Sequence, residues 1–300
     1  LYSYRSCDTR AEIFVFKMPR KAIGRARAIA IQQTRNMLLN GVFPAADRFQ
    51  STFVEPSLAP LHRRIREHLK AQSGSWANEY TAGYPYQGYG RIRVMGARPV
   101  EARFERYEIE EYFSPATRAL DIGSNTGFLA LHVAGFCDFV DGVELNPYLV
   151  EIGRDTQKHL GIRNVEFHCV AFEEFDPVHK YDVVFSFANH HTIDGNLDMG
   201  FSQYIERVHS FIKPDGMLFF ETHNIRGPGL GGPGDDGDLD AKFDVAEQYF
   251  EVVKYKMVPV GRHGIQDIDR LFVVLRRKEF NPEAKRTLNR VEAMQRWDYC

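Results

Sequence analysis

The segment Leu120-Asp121-Ile122-Gly123-Ser124-Asn125-Thr126-Gly127-Phe128 joins an apolar run to a carboxylate, then to two glycines four residues apart. Glycine lets the backbone turn tightly and approach a ligand without side-chain obstruction, and a helix starting at such a turn offers free N–H groups. A nucleotide-like ligand is expected there. A dinucleotide loop needs G-x-G-x-x-G, and Gly123-Ser124-Asn125 breaks that spacing, so a nicotinamide cofactor is the weaker choice. Seventeen residues after Gly127, the next apolar run ends at Glu144-Leu145, where the acid can accept hydrogen bonds from both hydroxyls of a ribose.

Two further clusters carry acid–base groups. Asn189-His190-His191-Thr192 follows the run Tyr181–Phe187, and Glu221-Thr222-His223-Asn224 ends a later one. Histidine titrates near neutral pH, so one of His190 and His191 is a candidate general base. Neighbouring side chains on extended backbone point opposite ways, so both cannot be well placed. Glu221 and His223 add an acid and a third imidazole. These types could also ligate a divalent cation, but no tight spacing such as HExxH supports one. An acid–base and substrate hydrogen-bonding cluster is the expectation, with no metal.

The elements that must position these groups are legible as strand-length apolar runs: Arg118–Ile122, Phe139–Glu144, Val165–Val170, Tyr181–Phe187 and Gly216–Glu221. Helical stretches fall between them, around Gly127–Ala134, Pro147–Leu160 and Phe201–Ile212. Continuously apolar strands alternating with helices predict a parallel sheet covered on both faces. Two late runs, Phe250–Val260 and Arg270–Arg276, predict an antiparallel pair. The expected fold is α/β: a Rossmann-like, seven-stranded, mostly parallel sheet with an antiparallel last pair, helices on both faces and a mainly helical N-terminal extension.

The expected domains are residues 1–112 as a helical cap, 113–278 as the catalytic domain and 279–300 as a tail. In the cap, helices are expected over 20–39, with Gly41 and Pro44 as the stop, over Leu58–Gln72, and from Pro99 to about Phe113. Residues 74–96, rich in Tyr and Gly, suit either a lid or a packed connector; Tyr84, Tyr86, Tyr89, Arg91, Arg93 and Arg98 are candidates to complete an acceptor pocket. The Gly-, Pro- and Asp-rich stretch Gly227–Gly237 is expected to gate the substrate.

Taken together, Leu120-Asp121-Ile122-Gly123-x-x-x-Gly127, Glu144 and Tyr181-Asp182-Val183-Val184 resemble the class I S-adenosylmethionine (SAM)-dependent methyltransferase superfamily, over about Ser114 to Lys278. Gly-Ser-Asn-x-Gly-Phe, His190-His191 and Phe220-Glu221-Thr222-His223 further resemble bacterial enzymes that methylate hydroxyls on sugars or small metabolites. The resemblance implies SAM as cofactor, with Gly123, Ser124, Asn125, Gly127 and Phe128 beneath its amino-acid portion next to Asp121. It implies Glu144 and Leu145 at the ribose, Ala171 and Phe172 flanking the adenine, and Ser186 with Asn189 bordering the methyl centre. Enzymes acting on exocyclic amines of nucleic-acid bases commonly have Asn-Pro-Pro-Tyr or Asp-Pro-Pro-Tyr where this chain has Asn-His-His-Thr. The expected acceptor is therefore a hydroxyl of a small molecule or glycan.

Composition agrees with an enzyme of this size. Hydrophobic residues make up 44% and charged residues 26% of the 300, which excludes global disorder and collagen-like repeats. No apolar stretch reaches the ~20 residues needed to cross a bilayer. The first residues lack the pattern of a secretory signal, so a cytoplasmic protein is expected. The four cysteines form no CxxC pair and are expected to be free thiols. The net charge of -2 conceals an imbalance: residues 1–72 hold 13 Lys and Arg against 5 Asp and Glu, leaving 25 against 35 for the rest. A basic helix packed on an acidic domain explains this, and RNA is the alternative partner it could attract.

Overall fold

The computed structural model describes residues 37–76, 83–189, 199–222, 238–260, 268–296 and 298–300. His190, His191, His223, Cys7, the stretch Gly227–Gly237 and the expected helix before residue 37 lie outside the described residues.

Seven strands form one sheet: β1 (Arg118–Ile122), β2 (Phe139–Glu144), β3 (Val165–Cys169), β4 (Tyr181–Phe187), β5 (Ile212–Glu221), β6 (Phe250–Val260) and β7 (Ile268–Arg277). Their spatial order is β3-β2-β1-β4-β5-β7-β6, and β7 runs antiparallel to both its neighbours while the remaining pairings are parallel. The chain steps outward from β1 to β3 and then returns to the other side of β1 with β4. That reversal opens a crevice at the carboxyl ends of β1 and β4, where open α/β sheets bind ligands.

Period-two alternation sends side chains to two faces. Ala119, Val140, Val183, Phe185, Phe219 and Val274 join one core, and Leu120, Ile122, Val143, Val184, Leu218 and Phe220 the other. The N-terminal region covers the first face together with α4 (Phe128–Val133) and α5 (Pro147–Leu160). The second face is covered by α6 (Phe201–Phe211) and α7 (Leu239–Tyr249), joined by Leu288 and Ala293 from the C-terminal segment.

In the N-terminal region, α1 (Phe43–Phe49) is followed by α2 (Ala59–Ser75) and α3 (Val100–Tyr107). The amphipathic face expected on α2 is present: Leu61, Ile65 and Leu69 are buried while Arg63, Arg64, Arg66 and Lys70 are exposed. Arg64 and His68 meet Asp155 of α5, both at 3.2 Å. The basic helix thus packs on an acidic neighbour.

Two expected boundaries differ. Gly41 and Pro44 do not stop a helix, because Leu38–Val42 forms a wide π-type turn that runs straight into α1 with Pro44 in its first turn. A proline at that position gives up an N–H that the first turn does not need. The third helix ends at Tyr107 rather than near Phe113, since Glu108 adopts φ 49° and a short 3-10 turn, Glu110–Tyr112, follows. Cys137, Cys169 and Cys300 are free thiols. Among the described residues no helix is long and apolar enough to cross a membrane.

Candidate active site

The turn after β1 uses both glycines for backbone geometry that side chains resist. Gly123 has φ 66° and Gly127 φ 71°, and Asn125 between them is also left-handed at 56°. An added Cβ on Gly123 would sit 3.0 Å from the Asn189 Cβ. At Gly127 it would strike the Phe167 ring, which is also 2.9 Å from an added Cβ at Gly142 and 3.1 Å from one at Gly153. Phe167, a buried residue of β3, thereby lies under the turn, the middle of β2 and the first half of α5.

Glu144 stands at the end of β2 with Leu145, both half-buried. Its Oε2 accepts the Asn125 N–H at 2.9 Å and its Oε1 accepts the Asn146 N–H at 2.9 Å. The acid next to the turn therefore grips the turn itself, which fixes the direction of its carboxylate.

Asp121, 3% exposed, is pushed up to about 7 by burial, against the pull of Arg103 and with the push of Glu144. Its Oδ2 has no hydrogen-bond partner among the described residues, and the same holds for Ser124 Oγ and Asn125 Oδ1. Buried polar atoms are normally satisfied. Three orphaned oxygens clustered on one glycine turn beside Glu144 fit a ligand with amine and hydroxyl groups, as the amino acid and ribose of SAM provide.

Sequence reasoning did not single out Gln87, which holds this turn from the N-terminal region. Its Oε1 accepts from the Phe128 N–H at 2.9 Å and from Thr126 Oγ1 at 3.0 Å, and its Nε2 donates to the Ser124 carbonyl at 3.2 Å. Gln87 is 4% exposed and pairs in register with Arg98 in a two-residue parallel ladder, Gln87–Gly88 against Arg98–Pro99. Tyr89, fully buried, stacks on Phe128 at 5.7 Å. The described part of the aromatic segment is thus a packed connector. A polar residue between two tyrosines was the signal available, and it carries no periodicity that reports burial.

The end of β4 is tied to the end of β1. Asn189 Nδ2 donates to the Ile122 carbonyl, and its Oδ1 accepts from Ser186 Oγ at 2.8 Å and Tyr204 OH at 3.1 Å. Ala188 holds φ 57°, a left-handed value costly for a residue with a Cβ, and donates its N–H to the Glu221 carbonyl at 2.9 Å. Ser186 and Asn189 therefore border the glycine turn. Ala171 follows β3 half-buried, while Phe172 is buried against Tyr204 at 5.3 Å and Phe211 at 5.8 Å. The Phe172 ring is a core side chain of the second face.

Glu221 is fully buried at the end of β5. Its Oε1 accepts from Arg103 Nη2 at 2.8 Å and Arg270 Nη1 at 2.5 Å, and its Oε2 accepts from Arg103 Nε at 3.2 Å and from Tyr107 OH. Burial opposes its ionisation, but Arg103 and Arg270 hold its carboxyl down at about 2. A carboxylate so committed organises its neighbours. Tyr107 stacks on Phe272 at 4.1 Å, and the Arg103 guanidinium lies 4.7 Å over Phe187 at the end of β4.

Sheet order, crevice and glycine turn define the class: a Rossmann-like fold of the SAM-dependent methyltransferases. The chain belongs to the methyltransferase-domain family, whose model matches residues 113–269; the cofactor of this class is SAM. Among individual relatives, a protein of Geobacillus sp. (strain WCH70), provisionally named a methyltransferase, is 26% identical over 147 residues. That match takes in 47% of this chain and 58% of the relative, so the chain spans under two thirds of the relative's length. Similar solved structures include the N-methyltransferase NodS from Bradyrhizobium japonicum WM9 in complex with S-adenosylhomocysteine, at TM-score 0.49 and 15% identity over 72% of this chain and all of that one. A SAM-dependent methyltransferase from Aquifex aeolicus is similar at TM-score 0.44 and 17% identity, over 61% of this chain and 91% of that one.

Proposed function

We propose that the protein transfers a methyl group from SAM to a hydroxyl of a small molecule or glycan, with one of His190 and His191 as general base. The observation that carries this reading is the tie between Asn189 and the Ile122 carbonyl, because it starts the Asn-His-His segment directly beside the glycine turn. When bound, SAM supplies a methyl group that is already electrophilic on its sulfonium sulfur.

This chain then needs to hold the cofactor, align the acceptor and remove one proton. Glu144 holds the ribose, with Leu145 beside it. Asp121, Ser124 and Asn125 turn their unpartnered oxygens to the amino-acid portion over Gly123, Gly127 and Phe128. Ala171 and Phe172 border the adenine through their backbone, since the Phe172 ring is committed to the core. The acceptor hydroxyl gives its proton to an imidazole of the His pair, for which proximity supplies several orders of magnitude and a positioned base about 10²–10⁴ more. Glu221 acts through the arginines it positions, and His223 completes the acid–base set assigned to the acceptor. The cap over the acceptor is residues 1–112.

The test is release of S-adenosylhomocysteine with candidate hydroxyl acceptors, which also separates an enzyme from a SAM-binding module without turnover. Replacing His190 or His191 singly with alanine should cost one of the two variants about 10²-fold or more in rate while SAM still binds. Unchanged rates in both overturn the base assignment. An RNA acceptor is the second reading, supported by the exposed Arg63, Arg66 and Lys70 on α2; retention on tRNA or rRNA that falls steeply with salt would favour it.

A further inference from the structure

Two guanidinium groups, Arg103 and Arg270, bind one carboxylate, Glu221, and a third, Arg98, lies close enough to both arginines to feel their charge. Arg103 spends both Nε and Nη2 on Glu221, while Arg270 spends Nη1 and leaves its buried Nε without a partner among the described residues. Arg98 hydrogen-bonds the Tyr86 side chain and leaves both Nε and Nη1 buried and unpartnered there. Arg98 is 8% exposed and Arg270 3%. Buried cations are ordinarily paired, since uncompensated charge in a low-dielectric interior is strongly unfavourable. The described groups facing this spot are Tyr86 and Arg98 of the ladder segment, Arg103 and Tyr107 of α3, Glu221 of β5 and Arg270 of β7, with Asp121 of β1, largely protonated below about pH 7, within the field of Arg103. They leave an excess of positive charge.

The excess lies beside the methyl-transfer crevice. Glu221 pairs in register with Phe187 at the end of β4, and the next residues, Ala188 and Asn189, reach the glycine turn. Strands are spaced about 4.8 Å apart, so the arginines are within the length of a small acceptor from that turn. Arg98 donates its backbone N–H to the Tyr86 carbonyl at 2.8 Å, which fixes both residues on one short segment. The Tyr86 phenol reports the field: burial pushes it up, yet Arg270, Arg98 and Arg103 together bring it down to about 7.

We propose that Arg98 and Arg270 bind an acidic group, a carboxylate or a phosphate, carried by the methyl acceptor. The planar forks of guanidinium groups suit both anions, and the unpartnered N–H groups are those such a group would take up. The acceptor class becomes a hydroxylated acid, such as a sugar acid or a sugar phosphate, bound with its hydroxyl toward the crevice at the ends of β1 and β4. This inference rests on the methyltransferase reading for the identity of the acceptor, while the anion site itself rests on the arginines.

The test uses the full chain saturated with S-adenosylhomocysteine, titrated with inorganic phosphate or with acetate at constant ionic strength set by chloride. Two readouts are followed, thermal unfolding and the 295 nm absorbance of Tyr86, whose phenol the three arginines bring down to about 7. Saturable stabilisation by at least one anion is expected, together with a rise in that tyrosine's titration midpoint; which anion binds tells phosphate from carboxylate. Arg98→Gln and Arg270→Gln should each weaken anion binding tenfold or more while cofactor-product affinity stays in the wild-type range, and Arg98→Lys should retain more than Arg98→Gln.

No saturable response to either anion, or an equal response in the Gln variants, overturns the proposal. So does a parallel loss of S-adenosylhomocysteine binding, which would make the arginines part of the cofactor site. If one variant fails to fold, the other and the wild-type tyrosine titration decide. Wild-type protein that does not bind S-adenosylhomocysteine would remove the methyltransferase reading; the anion titration on the protein alone would still decide the site.

Discussion

Gln87→Ala tests whether the N-terminal region shapes the cofactor turn. The change removes three hydrogen bonds, at 2.9, 3.0 and 3.2 Å, and leaves the Phe128 N–H, the Thr126 hydroxyl and the Ser124 carbonyl facing a void. Each buried group left unsatisfied costs roughly 1–3 kcal/mol, and neighbouring losses overlap, so a destabilisation of about 2–4 kcal/mol is expected. Part of it falls on binding, because a turn that loosens in the free protein must be reordered by the ligand. If about half does, S-adenosylhomocysteine affinity drops about tenfold, at 1.4 kcal/mol per decade. Isothermal titration measures that drop and thermal unfolding the remainder. Gln87→Met keeps most of the volume without the hydrogen bonds, so it separates the void from the polar loss. Wild-type affinity in both variants would refute the claim that this side chain organises the turn.

Other outcomes follow from the same geometry. Glu144→Ala should weaken SAM affinity by about 1–3 kcal/mol in a direct titration, since it removes a charged acceptor that also grips Asn125. Asp121, with its carboxyl up at about 7, is largely protonated below that pH, so binding of the cationic SAM should tighten as pH rises through about 7. Asp121→Asn should flatten that profile. The same raised value means that Asp121 detracts from folding stability as pH rises from about 4 to 7, and the Asn variant should lose that dependence in denaturant titrations. Glu221 has the opposite sign: held at about 2 against an ordinary 4.5, it stabilises the fold above the ordinary value and loses that contribution as pH falls toward 2. Glu221→Gln should lower stability by about 3–5 kcal/mol at neutral pH, measured by urea unfolding, because Arg103 and Arg270 lose their buried partner.

The sheet was legible because buried parallel strands are continuous apolar runs, and Tyr181-Asp182-Val183-Val184 or Phe139–Glu144 need no partner to be recognised. The glycine turn was legible because two positive-φ positions demand glycine, and Glu144 because an acid ending an apolar run stands out. The N-terminal region was harder. Gln87, Arg98 and Arg103 are polar residues made internal by tertiary contacts; Gln87 finds its partners at Ser124, Thr126 and Phe128, and Arg103 finds Glu221 over 100 residues away in sequence. Nothing local marks them. Likewise Pro44 reads as a stop although, in the first turn of α1, it gives up an N–H that the turn does not need, and Glu108 reads as helical although it takes a left-handed φ just after Tyr107, whose ring stacks on Phe272.

The aromatic side chain of Phe167 links three glycines that no sequence window shows together. Shrinking it to alanine would remove the nearest obstacle to a methyl group at positions 142 and 153, leaving the Ser124 hydroxyl and the Thr126 carbonyl, each 3.2 Å away, as the next contacts; at 127 the positive φ remains an independent barrier. The floor of the cleft is thus a matched set, and an engineer wishing to reshape it has to begin with the ring.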